Sequence, residues 1–452
     1  MSQTIEHRKA LIVGLGKTGV SAARHLVDRG WQIAVTDTRA QPPGREQLAA
    51  VAPNAECSFG RLDSSLLAGS TIVVTSPGIA LREPLIAEAI ARGIEVVGDV
   101  ELFAREVKAP VVGITGTNGK STVTTLVGRM ATRAGRKVCV GGNLGTPVLD
   151  LLSAPVPELY VLELSSFQLE TTQSLQLLAG TVLNLSEDHL DRHGSMDAYA
   201  AAKARIFRRC GTAVINRDDH WVRGMPRDSV QKVVGFSIEC PTGKGADGAE
   251  YSLMEQGGER WLAVRGQPVL AVSAMRLAGL HNAANALAAL ALGEACGLPL
   301  PPMLDELREF AGLPHRSQWV GEKRGVRYIN DSKGTNVGAT VATVSGMPGT
   351  LLLIAGGDGK GQDFAPLASA LAGRTRVVLL IGRDASRLAD VLKDHCEIVR
   401  CASLEEAVDE AAKRAESGEI VLLSPACASL DMFRDYIERG ERFAAAVGRL
   451  PS

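Results

Sequence analysis

Val111-Val112-Gly113-Ile114-Thr115-Gly116-Thr117-Asn118-Gly119-Lys120-Ser121-Thr122 is the stretch on which the reading of this chain turns. A short apolar run closes on glycines, and Lys-Ser-Thr then opens a segment, Val123 to Ala134, with the pattern of a helix. The order is strand, loop, helix. Glycines let backbone N–H groups approach a polyphosphate, and the helix N-terminus supplies a field that favours anions. In that reading Lys120 reaches the β- and γ-phosphates and the Ser121 hydroxyl meets Mg²⁺. The spacing departs from the usual G-x-x-x-x-G-K-[ST], since the residue six before Lys120 is Ile114 and the nearest glycine is Gly113. An ordinary βα turn is the competing reading. The apolar strand ahead of the loop and its three glycines within seven residues count against it. ATP is the expected ligand.

A chain of 452 residues has room for about three domains of ordinary size. With 45% hydrophobic and 22% charged residues it has the composition of a globular protein with ample core. A formal net charge of -1 and 4% aromatic residues offer nucleic acid neither a basic field nor many stacking platforms. The eight cysteines are scattered without a C-x-x-C pair, which suits buried thiols in a reducing compartment. The N-terminal residues Met1 to Arg8 carry no apolar signal core, and no run reaches membrane-spanning length. A cytoplasmic protein without membrane insertion is expected, working as a monomer.

Ahead of the loop, Ala10-Leu11-Ile12-Val13 runs into Gly14-Leu15-Gly16-Lys17-Thr18-Gly19 and an amphipathic helix. A second strand, Ile33 to Thr36, ends in Asp37, 23 residues after Gly14, which matches the dinucleotide fingerprint with its acid on a ribose hydroxyl. A tight turn without a ligand is the alternative. Thr71 to Thr75 is a further strand, ending at Ser76-Pro77-Gly78.

Behind the loop, the apolar strand Leu159 to Leu164 carries one acid, Glu163, where triphosphatases hold Mg²⁺. Thr181 to Leu185 delivers Glu187-Asp188-His189-Leu190-Asp191-Arg192-His193, in which Leu190 stands where a zinc protease would need Glu. Asp197 is expected to cap a helix from Ala198 to Arg209 bearing Lys203 among alanines, and Gly243 to Gln267 reads as a surface hairpin. Leu280 to Asn285 opens an Ala/Leu-rich helix whose Asn282 and Asn285 suit either a purine edge or a cap. Gly312 to Arg316 resembles a hinge. Beyond it, the strand Val326 to Ile329 ends in the polar loop Asn330 to Asn336, and Leu351 to Ala355 ends in Gly356-Gly357-Asp358-Gly359-Lys360-Gly361. There Gly361 replaces the metal-binding Ser/Thr, so Lys360 reads as a point charge for a small carboxylate. Strands Arg376 to Gly382 and Glu419 to Leu423 follow, the latter leading to Ser424 to Asp431 and a final helix. The fold class is α/β in three domains: Rossmann-like over residues 1–98, a central P-loop unit over 99–312, and a second Rossmann-like unit over 313–452.

Taken together, these motifs resemble the Mur ligases, which share the Gly-Thr-Asn-Gly-Lys-Ser/Thr loop with folylpolyglutamate synthetases. The resemblance extends to Gly142-Asn143-Leu144-Gly145, Glu163-Leu164-Ser165-Ser166, Glu187 to Arg192, His281-Asn282, Pro314-His315-Arg316 and Asn330-Asp331-Ser332-Lys333. Within the family, Asn330 to Asn336 and Ser424 to Asp431 resemble the branch that adds D-glutamate to UDP-N-acetylmuramoyl-L-alanine (UDP-MurNAc-L-Ala). The Asn-Pro-Arg signature of the diaminopimelate- or lysine-adding branch is absent from the sequence.

The resemblance implies roles residue by residue. Leu15, Gly16, Lys17, Thr18, Ser76, Pro77 and Gly78 would take the UDP pyrophosphate, with Asp37, Thr38 and Arg39 around the uridine, so the turn serves UDP and not NAD. Gly116, Thr117, Asn118, Gly119, Lys120, Ser121 and Thr122 would hold the ATP phosphates, and Asn282, Asn285, Arg316 and Asp331 the rest of the nucleotide. Ser121 and Glu163 would bind one Mg²⁺, and His189 with a carbamylated Lys203 a second. Asn143 and Ser165 would orient the muramoyl substrate. D-Glutamate would meet His189, Lys333, Thr335, Lys360, Ser429, Leu430 and Tyr436; the family often has Phe where Tyr436 stands. A sister Mur ligase or a folylpolyglutamate synthetase-like ligase with a different amino acid, a nucleotide-sensing protein without chemistry, and a dehydrogenase are the alternatives.

Overall fold

Parallel strands covered on both faces demand apolar side chains at successive positions, and three stretches meet that demand. Lys9–Val13, Val111–Thr115 and Leu351–Gly356 are strands, and Ala10 to Val13, Val111, Val112, Ile114 and Leu351 to Ala355 are at most 1% exposed. Each lies inside a separate sheet. The computed structural model describes residues 8–152, 155–239, 249–277 and 279–451. Residues 1–7, Cys240 and the start of the expected hairpin, 243–248, lie outside the described residues.

In the first sheet the parallel order is Glu56–Phe59, Gln32–Asp37, Lys9–Val13, Ser70–Thr75, Glu95–Val97. The order reverses beside Lys9–Val13, so the turn after Val13 and the loop after Thr75 meet where open α/β sheets take ligands. Helix Lys17–Val27 lies tight on this turn because Gly19 has no side chain. A Cβ there would stand 2.1 Å from the Gly14 carbonyl oxygen.

The second sheet is centred on Val111–Thr115, flanked by Leu159–Glu163 and Leu177–Val182. Val138–Gly142 lies beyond the first flank, and Cys210–Asn216, Lys232–Ser237 and Ala249–Gln256 beyond the second, all parallel. Glu259–Val264 and Gln267–Ala271 extend it antiparallel. Helices Lys120–Arg133 and Leu280–Ala295 cover one face through Val123, Leu126, Leu287 and Leu290. On the other face, Phe103 and Val100 of helix Asp99–Ala104 join Tyr160 and Leu162 to Ile12 and Ala10 of the first sheet in one continuous core.

The third sheet runs Gln318–Lys323, Val326–Asn330, Ile420–Leu423, Leu351–Gly356, Thr375–Ile381, Glu397–Arg400, with only the first strand antiparallel. Three of its strands end side by side, bringing the loops after Asn330, Gly356 and Leu423 to one edge.

Local expectations fail where the apolar pattern is weak. Gln318–Lys323 is an edge strand without a continuous apolar run, and Glu56–Phe59 and Glu95–Val97 are short; none was legible. The strand expected from Thr181 starts earlier, at Leu177. Asp197 does not cap the Lys203 helix. Ser195 does, its hydroxyl accepting from the Ala198 N–H, and the helix is Met196–Ala204 followed by a 3₁₀ turn, Arg205–Phe207. Asp197 sits instead in the first turn, where a carboxylate favours the helix dipole.

Asp99, at the joint between the first two sheets, is 1% exposed. One oxygen accepts from Gln168 Nε2 at 3.3 Å, and the other, Oδ1, has no well-formed hydrogen bond among the described residues. Burial pushes this carboxyl up from 3.8 to about 6. Because the folded state holds the proton more tightly than the unfolded chain, stability falls as pH rises through that interval and stays lowered above it. Asp99→Asn is therefore expected to stabilise the protein above pH 6 by on the order of 1–3 kcal/mol, with the gain vanishing at about pH 4. Urea midpoints at the two pH values measure it, and an equal effect at both would contradict the assignment.

Candidate active site

Gly116 and Gly119 adopt φ of 146° and 82°, the second in the left-handed region that L side chains disfavour. The loop between them is tied to the neighbouring strand end: Thr117 N–H donates to the Asn184 carbonyl at 2.9 Å, and Asn118 N–H to Asn184 Oδ1 at 2.8 Å. Gly119 starts helix Lys120–Arg133 without a side-chain cap, so the first-turn N–H groups stay available to an anion. Lys120 Nζ folds back onto the Gly116 and Thr117 carbonyls at 2.8 and 2.7 Å. Burial lowers the affinity of this amine for its proton, with Glu163 opposing. Neutral carbonyls are weaker partners than phosphate oxygens, so a polyphosphate bound here would displace them.

Ser121 and Glu163 converge beside the loop. Ser121 Oγ donates to Glu163 Oε2 at 2.6 Å, Asn143 Nδ2 to Oε1 at 2.6 Å, and Arg316 Nη2 to Ser121 Oγ at 2.7 Å. Glu163 is 3% exposed, so its charge depends on these partners. Arg316 belongs to the segment leading into the third sheet, and a second cross-link joins Asn336 Nδ2 to Asp188 Oδ2 at 3.5 Å. The third sheet thus closes over the loop. Among the described residues no three His, Cys, Asp or Glu side chains gather into a metal-holding group. A carboxylate with a hydroxyl is instead a pair of hard oxygen donors, the chemistry that would suit a hard divalent cation.

Lys203 is 2% exposed. Its Nζ donates to Gly116 O at 2.9 Å and Thr115 Oγ1 at 3.2 Å, stands 4.8 Å from the Tyr199 ring centroid, and forms no ion pair among the described residues. Burial, then Lys120, lowers its proton affinity well below the ordinary lysine value. Tyr199 was missed from sequence, although its i,i+4 spacing from Lys203 puts both on one helix face. Its hydroxyl also bonds Thr117 Oγ1 at 3.2 Å. His189, at φ 54°, opens helix Leu190–His193, packs edge-on against Phe167 and lies 3.6 Å from Asp188. Burial lowers its proton affinity too.

At the first sheet, Gly16 caps helix Lys17–Val27 with open space above it, and Ser76 Oγ donates to Gly14 O at 2.9 Å. Lys17, Thr38 and Arg39 are exposed, and Thr18, Ser76 and Pro77 are half-buried around the turn. Asp37 corrects the fingerprint: it is 2% exposed and both oxygens are engaged. One accepts from the Leu15 N–H at 2.7 Å and from Arg39 Nη2 at 2.6 Å, the other from Arg39 Nε at 2.9 Å. Burial would raise its carboxyl, but the bonds from Arg39 and Leu15 hold it at about 2. This carboxylate shapes the turn and aims Arg39; it does not present a free oxygen to a ribose. Ser165, with Gln168, forms a capping box on helix Ser166–Glu170.

The three loops of the third sheet are stitched together. Asp358 and Ala428 exchange backbone hydrogen bonds at 3.0 and 2.8 Å, and Ser332 Oγ donates to the Tyr436 carbonyl at 2.8 Å. Arg439, 1% exposed and unnoticed in the sequence, donates to the Ser332 hydroxyl and carbonyl and to the Cys427 carbonyl. Ser429 is buried, Thr335 and Tyr436 half-buried, and Leu430 71% exposed. Lys360 is exposed over a cleft shared with Asp188, His189, Asp191 and Gln362. Asp331 accepts from Ser317 N–H, Thr343 Oγ1 and Ser424 Oγ, and burial raises it to about 6. Asn285 Nδ2 donates to Asn282 Oδ1 at 3.2 Å, and both line a cavity with Asn118, Thr122, His281, Arg316 and Asp331.

Family models match along the chain: "Mur ligase MurD-like, N-terminal domain" over residues 8–98, "Mur ligase middle domain" over 114–293, and "Mur ligase, glutamate ligase domain" over 315–427. The chain belongs to the Mur ligase family. It is 54% identical over 445 residues to the UDP-N-acetylmuramoylalanine--D-glutamate ligase of Nitrosococcus oceani, covering 98% of this chain and 97% of that one. It is 50% identical to the enzyme of the same name from Pseudomonas aeruginosa, covering 97% of this chain and 98% of that one. A crystal structure of MurF ligase from Thermotoga maritima in complex with ADP shares the fold at a TM-score of 0.62 and 15% identity, covering 99% of this chain and 100% of that one. Among the described residues no helix is long and apolar enough to cross a membrane.

A Cβ on Gly119 would stand 2.4 Å from Asn285 Oδ1, at a φ that already disfavours side chains. Gly119→Ala is expected to cost about 1–3 kcal/mol, roughly a fivefold to 150-fold loss of nucleotide affinity by calorimetry. Unchanged affinity would contradict the role given to the loop.

Proposed function

We propose that this chain is an ATP-dependent ligase that joins D-glutamate to UDP-MurNAc-L-Ala during assembly of the peptidoglycan precursor. What carries the reading is its 54% identity, along nearly the whole of both chains, to an enzyme named for that reaction. The convergence of Lys120, Ser121, Glu163 and Arg316 supports it, because a carboxylate is a poor electrophile until it carries a leaving group, and phosphate from ATP is one. The alanine carboxylate attacks the γ-phosphorus of ATP, ADP leaves, and the acyl phosphate is then displaced by the D-glutamate amine with loss of phosphate. Lys120, Arg316 and the loop N–H groups face the charge that develops on the transferring group.

Residues 1–98 take the UDP moiety at the Gly16 turn and the Ser76–Gly78 loop, with Asn143 and Ser165 nearer the sugar. Residues 99–312 take the nucleotide, and residues 313–452 take D-glutamate between Thr335, Lys360, Ser429, Leu430 and Tyr436. Ser121 and Glu163 are the donors for one Mg²⁺ and His189 with a carbamylated Lys203 for a second, cations that offset phosphate charge. A buried amine with little affinity for a proton keeps the lone pair that adds carbon dioxide, which is what supports the carbamate. A cytoplasmic monomer suits these soluble substrates.

With ATP, Mg²⁺ and UDP-MurNAc-L-Ala present, phosphate release is expected on adding D-glutamate and not on adding other amino acids. Turnover with a different amino acid and none with D-glutamate would overturn the reading. Lys203→Ala should lower kcat by roughly 100-fold or more and abolish a carbamate signal in ¹³C spectra recorded with labelled bicarbonate. A wild-type spectrum without that signal would remove the carbamate.

A further inference from the structure

Lys333 stands where the nucleotide cavity meets the amino-acid loops. It lines the same cavity as Asn118, Gly119 and Arg316, and its Nζ sits 4.0 Å from the centroid of the Tyr436 ring. It forms no ion pair among the described residues, so the aromatic face is the group that receives its charge. The backbone that carries it is fixed. Lys333 N–H donates to the His315 carbonyl at 3.0 Å, Thr335 N–H to the Lys333 carbonyl at 2.8 Å, and the preceding Ser332 is clamped by Arg439. This is a rigid mount for an amine that meets an aromatic face and, among the described residues, no anion.

We propose that Lys333 is the general base that removes a proton from the incoming amino acid's ammonium group. The inference rests on the ligase reading above. An ammonium nitrogen has no lone pair, so D-glutamate must give up one proton before it can attack the acyl phosphate. That proton passes to the lone pair of Lys333 Nζ, leaving a neutral amine and a lysine ammonium over Tyr436. The new C–N bond then forms, the C–O bond to phosphate breaks, and the second nitrogen proton leaves with the phosphate. Lys333 afterwards returns its proton to solvent.

The surroundings suit the task. Burial, then Arg316 and Lys120, bring Lys333 down to about 8, while Glu163 and Asp188 pull in the opposite direction. Asp331 faces the same cavity but is held by Ser317, Thr343 and Ser424, and the His315 ring packs edge-on against Tyr436. A base that titrates near the working pH transfers protons most effectively.

The test separates proton removal from acyl-phosphate formation by changing the nucleophile. Hydroxylamine is neutral at pH 7 and traps an acyl phosphate as hydroxamate without needing a base. Lys333→Arg keeps the charge but stays protonated. At pH 7 the variant is expected to lose D-glutamate ligation by ~100-fold or more, while hydroxamate formation falls by no more than about threefold. Its ligation rate should climb as pH is raised and free amine becomes available, whereas the wild-type rate levels off near pH 8. Lys333→Met should show the same split. Ligation that survives in Lys333→Arg, or a parallel loss of both products, would overturn the proposal. A wild-type enzyme that forms neither product would instead overturn the ligase reading, and this inference with it.

Discussion

A helix N-terminus left without its own cap is the constraint on which the molecule depends. Helix Lys120–Arg133 begins at Gly119 with no side chain satisfying its first N–H groups, and such groups are costly to leave unpaired. The surrounding chain holds them open for a ligand and does not fill them. Asn184 fixes the loop from the neighbouring strand, Asn285 crowds the space that a side chain at Gly119 would need, and Lys120 rests on two carbonyls.

The third sheet is placed by that same helix end. Arg316 reaches Ser121 from the segment that begins the last sheet, and Asn336 reaches Asp188. These contacts carry the Lys333 and Lys360 loops toward the phosphate cradle, so a phosphoryl acceptor and an amine donor can share one cleft. Effective molarity of this kind supplies much of what a two-step ligation needs. The first sheet is attached differently, through a continuous apolar core around Phe103 and Tyr160, which suits the part proposed to hold the substrate's distant end.

Much of this was readable in the sequence because parallel strands announce themselves as unbroken apolar runs and glycines mark the loops after them. Lys9–Val13, Val111–Thr115 and Leu351–Gly356 were all placed that way. Polar side chains committed to other parts of the protein were less legible. Asp37 has the spacing of a ribose ligand yet spends both oxygens on Leu15 and Arg39, contacts that only the folded turn creates. Arg439 lies far in sequence from the Ser332 and Cys427 groups it joins, so no local pattern signals it. Ser195 outcompeted Asp197 as a cap by standing immediately before the first helical residue, two positions earlier in the chain, a difference too fine for pattern alone.

The account stands or falls on whether the phosphoryl group crosses from the cradle to the alanine carboxylate. UDP-MurNAc-L-Ala labelled with ¹⁸O in that carboxylate measures this directly. After turnover with ATP and D-glutamate, one ¹⁸O is predicted in each inorganic phosphate released, read by its isotope-shifted ³¹P signal. Phosphate carrying no label would contradict phosphoryl transfer to the carboxylate and the reading of the site with it.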